Sequence, residues 1–310
     1  MVKATGTLAK GEVINDTYTI QFLIGEGAFG EVYRVKHKYM ALQVLKLFKS
    51  SYVENTDLNL VINEARILSE LTHKNVVRVF ETNSFLRDDS QRFFITMGFV
   101  SGESLAQLLK REILLDIPVA LSVQKALLSG LWEAHRQKDP IIHRDVTPDN
   151  VLLSYADEKP QALLSDFGLA QSVDQMSQIA GAAGKYLYLA PECFWGAYLP
   201  TSDVFAAGVV LYRMITGTYP WDYDFAAMSG IDSSEISVEV SKARNLDPKP
   251  PSHRNPDCSA ELDSIVMRAI SKDLEYRYRN AHEFLQDVCN ELENVCASAE
   301  ATVAIESLYY

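Results

Sequence analysis

The chain has 310 residues, of which 47% are hydrophobic and 23% are charged, and this composition suits a globular protein with a core of ordinary size. Its formal net charge of −12 argues against a nucleic-acid-binding protein, because phosphate recognition usually requires a basic surface. The four cysteines form no CxxC pair, the first residues lack the apolar stretch of a signal peptide, and no run of about eighteen apolar residues could span a membrane. These features predict a cytoplasmic protein with reduced thiols.

The N-terminal part of the chain is dominated by strand patterns. The candidate strands are YTIQFLIG, EVYRV, MALQVLKLF, NVVRVFETNSF and RFFITMGFV. One helical pattern, LNLVINEARILSELT, lies between the third and the fourth of them. We therefore predict an N-terminal extension at residues 1–16 and a strand-rich lobe at residues 17–100.

The remainder of the chain shows helical patterns. SLAQLLKREI and PVALSVQKALLSGLWEAHRQ come first, followed later by SDVFAAGVVLYRMITG, SAELDSIVMRAIS and NAHEFLQDVCNELENVC. Residues 221–255 are acidic and then proline-rich, which predicts an irregular loop, with a docking surface as the alternative. We predict a helical lobe at residues 101–296 and a C-terminal tail at residues 297–310. The fold class is then α+β, with a hinge near residues 98–102 and a cleft between two lobes.

Four short motifs carry the functional signal. Gly25, Gly27 and Gly30 form a G-x-G-x-x-G sequence between two predicted strands, whereas the dinucleotide-binding version is followed by a helix. The other motifs are His143-Arg144-Asp145 with Asn150 behind it, Asp166-Phe167-Gly168, and Ala190-Pro191-Glu192. This ordered set resembles the protein kinase family, and most closely its bacterial serine/threonine members, over residues 17–296.

The resemblance implies an enzyme that depends on ATP and Mg²⁺. Asp145 would accept or orient the proton of the substrate hydroxyl, and Asn150 and Asp166 would hold the metal ion. Glu64 would be the acidic partner of the ATP-binding lysine, and Met97 would be the gatekeeper before the hinge. The expected nucleotide-binding residues are Ile24, Gly25, Glu26, Gly27, Ala28, Phe29, Gly30, Val32, Ala41, Gln43, Glu64, Met97, Gly98, Val100 and Leu152.

One position in the ATP site departs from the family pattern. The family lysine follows an apolar triplet, and here Met40-Ala41-Leu42 is followed by Gln43. Lys46 comes three residues later, so on a strand it would face the opposite side. Loss of such a preorganised charge costs on the order of 10² to 10³ in rate. We therefore expect an enzyme silenced or strongly weakened by a lysine-to-glutamine change. The alternative is a natural pseudokinase that binds nucleotide or acts as a scaffold.

A second departure concerns two positions that contact each other beside the γ-phosphate in the family. Thr147 stands where serine/threonine kinases usually have lysine, and Lys185 stands where they usually have threonine. We hypothesise that Lys185 brings its ammonium group to the γ-phosphate and that Thr147 bonds to it; a solvated loop lysine is the alternative. Tyrosine kinases usually carry arginine and alanine in the catalytic loop, so we expect a serine or threonine acceptor.

Further residues are expected to support the site. Asp203 resembles the aspartate that anchors the catalytic loop, and Arg277 resembles the arginine that pairs with Glu192. A small-molecule kinase of the aminoglycoside type shares the fold, but Arg277 and the Ala190-Pro191-Glu192 motif favour a protein substrate.

The segment between Asp166 and Glu192 offers two candidate modification sites. Kinases with an arginine at the Arg144 position often require a phosphate on this segment. Ser172 and Ser177 are therefore candidates for autophosphorylation.

Overall fold

A computed structural model describes residues 6–27, 30–49, 67–156, 160–167, 183–226, 228 and 231–306, with side chains up to residue 297 apart from those of residues 183 and 233. The chain divides into two compact units, Met1–Ser101 and Gly102–Tyr310. The division falls beside the lobe boundary that the sequence predicts at residues 100 and 101.

An antiparallel sheet forms the first unit, and its strand order is β1-β2-β3-β4-β6-β5. The strands are β1 (Val13–Ile14), β2 (Tyr18–Glu26), β3 (Gly30–His37), β4 (Leu42–Phe48), β5 (Val79–Arg87) and β6 (Ser90–Gly98). Residues 67–70 are helical and Leu68 is buried, while the N-terminal part of the predicted helix lies outside the described residues. Strand β4 begins two residues later than the pattern MALQVLKLF predicts, and this difference changes the interpretation of the ATP site.

The described part of the N-terminal extension, residues 6–16, packs onto one face of this sheet. Leu8 and Ile14 join a buried cluster that contains Tyr33, Leu45 and Leu47. The backbone amide of Leu8 donates a hydrogen bond of 3.0 Å to the hydroxyl oxygen of Tyr33. The extension therefore forms part of the core of the first unit, which the sequence pattern did not predict.

Helices dominate the second unit. They are α1 (Leu105–Glu112), α2 (Ile117–His135), α3 (Ala183–Tyr186), α4 (Pro200–Thr216), α5 (Ser233–Ala243), α6 (Ala260–Ala269) and α7 (Ala281–Glu306). A small sheet of β7 (Gly102–Ser104), β8 (Val151–Ser154) and β9 (Gln161–Leu164) accompanies them. The two units together confirm the predicted α+β class with a strand-rich and a helix-rich part.

Helix α4 forms the centre of the second unit. Its residues are buried almost throughout, and it packs against α2, α6 and α7. A Cβ atom on Gly208 would lie 2.7 Å from the Cβ atom of Ala269, so glycine permits the close approach of α4 and α6. Because α4 is fixed on several sides, it is a rigid support for side chains that project from it.

Two predictions for the second unit were wrong in detail. Residues 221–255 contain helix α5, which begins after Asp232, whose carboxylate accepts the amide protons of Ser234 and Glu235. Helix α7 continues to Glu306, so residues 297–306 are helical although the sequence assigns them to a tail. Within the described residues, no helix combines the length and apolar character needed to cross a bilayer.

Candidate active site

Asp203, on the first turn of α4, binds the backbone of the loop that contains His143, Arg144 and Asp145. Its Oδ2 atom accepts the backbone amide of His143 at 2.7 Å and the Nε2–H of His135 at 2.8 Å, and its Oδ1 atom accepts the amide of Arg144 at 2.9 Å. Arg144 has a φ angle of 64°, a conformation that is costly for a non-glycine residue and needs support from its surroundings. The predicted anchoring role of Asp203 is therefore confirmed.

His143 connects the catalytic loop to the residues before Asp166. Its Nε2–H donates to the carbonyl oxygen of Ser165 at 2.9 Å, and its Nδ1 atom accepts the amide of Asp145 at 3.3 Å. Burial lowers the pKa of the imidazole, although nearby carboxylates including Asp203 act in the opposite direction. The neutral ring, with one donor and one acceptor, fits both contacts.

Asn150 is placed to hold Asp145. Its Nδ2 atom donates to the carbonyl oxygen of Asp145 at 2.7 Å and to the Oδ2 atom of the same residue at 2.9 Å. Because the amide nitrogen is committed to these contacts, the amide oxygen of Asn150 is the atom suited to a hard cation.

Lys185 reaches the same carboxylate from helix α3. Its Nζ atom forms a salt bridge with Oδ2 of Asp145. Thr147, at the position where the family usually has lysine, is buried, and its carbonyl oxygen accepts the amide of Asn150 at 3.0 Å. The structure thus brings the ammonium group of Lys185 to the candidate base, although the role of this group in catalysis stays a prediction.

Asp166 follows β9 and has a φ angle of 59°. Phe167 next to it is buried, and its ring centroid lies 4.5 Å from that of His143. The side chain of Asp166 is half-buried rather than enclosed in the core. A carboxylate and an amide oxygen are ligands that Mg²⁺ accepts in combination with phosphate oxygens, so Asp166 and Asn150 fit the expected metal ion.

A buried ion pair stabilises the segment behind the catalytic loop. Arg277, whose side chain is fully buried, donates from Nη1 to Oε1 of Glu192 at 2.7 Å and from Nη2 to Oε2 at 3.2 Å. Burial by itself would raise the pKa of Glu192, but the hydrogen bonds and charge of Arg277 outweigh it and the pKa is lowered. The predicted pairing of Arg277 with Glu192 is therefore confirmed.

The pairing register of the first unit decides which side chains share a sheet face. Lys46 pairs with Val32 on β3 and with Ile95 on β6, and Val44 pairs with Met97. Residues that pair directly across antiparallel strands point to the same face. Lys46 therefore shares a face with Val32, the residue expected above the adenine, and with Met97, the expected gatekeeper.

Gln43 lies on the opposite face of β4. It is 2% exposed, it is on the side of Leu45 and Leu47, and this side is covered by the cluster to which Leu8 belongs. Its Nε2 atom lies 3.8 Å from Sδ of Met40, and in the described part of the chain its Oε1 atom has no hydrogen-bond partner. This position does not support the assignment of Gln43 to the ATP-binding lysine position.

Ala41, expected above the adenine, lies in the turn between β3 and β4 and is exposed. Its position therefore does not fit that role. Val44, which faces the same side as Lys46 and Met97, occupies the corresponding place on the strand.

The glycine-rich sequence spans the end of β2 and the start of β3. A Cβ atom on Gly30 would lie 2.1 Å from the carbonyl oxygen of Leu47, so only glycine permits this approach to β4. A Cβ atom on Gly25 would meet no atom within 4 Å, and one on Gly27 would lie 3.9 Å from the carbonyl oxygen of Gly30. The amide of Gly27 donates to that same oxygen at 2.8 Å. Glu26 forms a salt bridge of 2.6 Å with Lys49. Ala28 and Phe29 lie outside the described residues.

The other expected nucleotide-site residues are distributed over both units. Ile24, on β2, is 48% exposed, whereas Met97 is buried at the end of β6. The amide of Gly98 donates to the carbonyl oxygen of Arg78, and Val100 follows β6. In the second unit, Leu152 lies on β8 and pairs with Ser104 and Leu163. Glu64, Gly168, Ser172 and Ser177 lie outside the described residues.

A cavity of about 340 Å³ opens beside the catalytic loop within the second unit. Its lining includes Asp145, Asn150, Lys185, Tyr188 and Arg213. The candidate base therefore borders a space large enough for part of an acceptor side chain and its backbone.

Comparison with known proteins identifies the family of the chain. A family model described as the protein kinase domain matches residues 18–289. The chain belongs to the protein kinase family. It is 30% identical over 285 residues to a probable serine/threonine-protein kinase PknB of Lactococcus lactis, a match that covers 90% of this chain and 42% of that protein. The predicted class, a bacterial-type serine/threonine kinase domain, is confirmed.

Two further kinases define the extent of the similarity. Serine/threonine-protein kinase Pkn3 of Myxococcus xanthus is 29% identical over 286 residues, which cover 88% of this chain and 50% of that protein. The chain thus spans half or less of the length of these curated relatives. The crystal structure of the Mycobacterium tuberculosis PknI kinase domain matches with a TM-score of 0.70 at 26% identity, covering 92% of this kinase chain and 100% of that chain.

Proposed function

We propose that the chain transfers the γ-phosphoryl group of ATP to serine or threonine hydroxyls of proteins. The observation that carries this proposal is the group around Asp145, whose carboxylate is held by Asn150 and Lys185 on a loop that Asp203 anchors. Fixed donors around a carboxylate that can accept a proton are what phosphoryl transfer requires, because this reaction depends on positioning and charge rather than covalent catalysis.

Each residue of this group has a separate task in the proposed reaction. Asp145 orients the acceptor hydroxyl and takes its proton, while Asn150 keeps the carboxylate in place. Asp166 and the amide oxygen of Asn150 would hold Mg²⁺, which neutralises phosphate charge when it is bound. Lys185 would supply the positive charge beside the transferred group that the family lysine, replaced here by Thr147, normally supplies.

We assign the ATP-binding lysine to Lys46. It shares a sheet face with Val32 and Met97, and the residue is only 9% exposed. Gln43 belongs to the face that the N-terminal extension covers. With Lys46 in this role, the chain has a lysine for the nucleotide phosphates, and a silenced enzyme or a pseudokinase is no longer needed to explain Gln43.

Transfer of radiolabelled phosphate from ATP to myelin basic protein in the presence of Mg²⁺ tests the proposal. We expect labelled serine or threonine with the unmodified chain and none with Asp145→Asn. ATP binding without any transfer by the unmodified chain would contradict the proposal and support a nucleotide-binding scaffold.

The task of Lys185 is tested by a matched pair of variants. Lys185→Met should lower kcat by roughly 10², the effect of removing one preorganised charge. Lys249→Met, which removes an exposed lysine paired with Asp222, should leave kcat unchanged. The double variant Thr147→Lys, Lys185→Thr restores the usual family arrangement and should recover most of the lost rate. An unchanged rate for Lys185→Met would refute the assignment.

We also propose that the kinase acts in the cytoplasm and modifies itself at Ser172 or Ser177. Buried free thiols at Cys193 and Cys258 are compatible with a reducing compartment. Mass spectrometry after incubation with ATP should detect phosphate on one of the two serines. Full activity without either modification would contradict the autophosphorylation proposal.

A further inference from the structure

Arg244, the residue that ends helix α5, is a buried cation bonded to backbone carbonyl groups. It is 4% exposed. Its Nη2 atom donates to the carbonyl oxygen of Tyr186 at 3.0 Å and to that of Leu187 at 2.8 Å, and its Nη1 atom donates to that of Leu189. Its Nε atom donates to the hydroxyl of Tyr223 at 3.3 Å. One guanidinium group therefore fixes three carbonyl groups of a single short segment.

The surroundings of this guanidinium are aromatic. Its central carbon lies 5.6 Å from the ring centroid of Phe194, 5.3 Å from that of Phe205 and 5.2 Å from that of Trp221. Burial lowers the pKa of Arg244, although Tyr223 and more distant acidic groups act in the opposite direction. In the described part of the chain, its hydrogen-bond acceptors are carbonyl and hydroxyl oxygens rather than carboxylates.

Burial of a charged guanidinium costs desolvation free energy, and carbonyl dipoles and aromatic rings offset this cost less directly than a carboxylate would. Apolar residues of similar volume often replace buried ionic groups without loss of stability. Packing alone therefore does not account for an arginine at this place. The planar fork of donors does account for it, because it fixes the direction of several carbonyl groups at once.

The segment that Arg244 holds is the one next to the catalytic group. Lys185, whose Nζ atom contacts Asp145, directly precedes the first bonded carbonyl. Tyr188 lies between the second and the third, and its side chain lines the cavity beside Asp145. The carbonyl groups that Arg244 binds therefore belong to the same short segment as Lys185 and Tyr188, which both line the cavity beside Asp145.

We propose that Arg244 is a positioning residue for the protein acceptor, acting through residues 185–189. This inference rests on the proposed phosphoryl transfer. In the described part of the chain, the hydrogen bonds and ring contacts of Arg244 are made to residues of the second unit. We therefore expect its contribution to concern Lys185 and the acceptor and to leave ATP binding unaffected.

Kinetics of Arg244→Met and Arg244→Lys test the proposal with ATP and myelin basic protein as the two varied substrates. For Arg244→Met we expect kcat/KM for the acceptor to fall by roughly 10², the loss typical of a displacement of about 1 Å at a reacting group. The KM for ATP should change less than about two-fold, because Arg244 is proposed to orient the acceptor side of the site and not to bind the nucleotide. Arg244→Lys retains the charge without the planar fork and should recover part of the loss.

Arg279→Met is the matched control, because Arg279 is an exposed arginine paired with Glu283 on the neighbouring helical turn. It should leave both kinetic constants unchanged. An Arg244→Met protein that folds and keeps its acceptor kcat/KM within about two-fold would overturn the proposal, since loss of fixed positioning should cost far more. An equal rise in both KM values would also overturn it.

Hydrogen exchange separates this inference from the proposed activity. The backbone amides of residues 186–190 should exchange roughly ten-fold faster in Arg244→Lys than in the unmodified chain, the effect of losing about 1.4 kcal/mol of hydrogen bonding. Unchanged amide exchange at residues 186–190 in Arg244→Lys would refute the positioning role of Arg244 even if the enzyme is active. Faster amide exchange in Arg244→Lys, together with no phosphate transfer by the unmodified chain, would support the contacts of Arg244 and contradict only the proposed function.

Discussion

Replacement of Lys46 by methionine, compared with changes at Gln43, tests which residue of β4 serves the nucleotide. Lys46 faces the side of Val32 and Met97, so Lys46→Met should lower kcat/KM by roughly 10² to 10³, equivalent to about 2.7 to 4 kcal/mol of transition-state stabilisation. The measurement is radiolabelled phosphoryl transfer at varied ATP concentration.

Changes at Gln43 should affect stability and leave catalysis intact. Its amide oxygen is buried without a hydrogen-bond partner among the described residues, and such a group costs about 1 to 3 kcal/mol. Gln43→Leu should therefore raise the melting temperature or leave it unchanged, at unaltered kcat/KM. Gln43→Lys would place an ammonium group among Leu45 and Leu47 and should lower the melting temperature.

Two outcomes would refute this reasoning. One is a Gln43→Lys variant that is at least ten-fold more active than the unmodified chain, which would return the lysine position to residue 43. The other is a folded Lys46→Met variant with unchanged kcat/KM. Circular dichroism and thermal unfolding of each variant distinguish a catalytic loss from a folding defect.

Three further outcomes follow from the described contacts. Leu8→Ala should lower the free energy of unfolding by about 2 to 3 kcal/mol, because Leu8 is buried in the core of the first unit, and chemical denaturation measures this change. The pKa of Glu192 is lowered in the folded state, so its contribution to stability is present above the unfolded pKa near 4.5 and is lost as the pH falls through the folded value. Arg277→Met should abolish this acid-dependent loss in thermal unfolding between about pH 6 and pH 3, while an unchanged pH profile would contradict the ion-pair assignment. Asp203→Asn replaces a carboxylate that accepts three N–H hydrogen bonds with a weaker, neutral acceptor. This change should lower kcat more than it raises the KM for ATP, as measured in the transfer assay.

The assignment of Gln43 to the lysine position was wrong because the sequence motif does not show how many residues the turn between β3 and β4 occupies. Met40, Ala41 and Leu42 imitate the family triplet, but β4 begins only at Leu42, so the first two residues belong to the turn. The parity argument was correct, since Gln43 and Lys46 do face opposite sides. If residues are paired from the turn, starting with Lys36 and Leu42, the residue opposite Val32 is Lys46.

Other features depended on contacts that a sequence pattern does not encode. Leu8 lies in a segment without a regular apolar pattern, and its burial follows from its packing against the sheet side chains Tyr33, Leu45 and Leu47. Arg244 lies in a region without a motif, and its role depends on carbonyl groups about 55 residues away in the chain. Motif positions such as Asp203 and Arg277 were predictable because their partners, too, belong to ordered motifs.

Side-chain length is one reason why a sequence motif indicates the position of a catalytic-type carboxylate more directly than that of a lysine. Aspartate and asparagine have short side chains, so Asp145, Asn150 and Asp166 can act only from fixed backbone positions, and these positions appear as motifs. Lysine carries its charge on a flexible stem of four carbons and can reach a site from more than one backbone position. The exchange of Thr147 with Lys185 is such a case, whereas the apparent departure at Gln43 came from the misplaced start of β4. A lysine absent from its usual position is therefore weak evidence for an inactive kinase until the neighbouring lysines have been placed on their strand or helix faces.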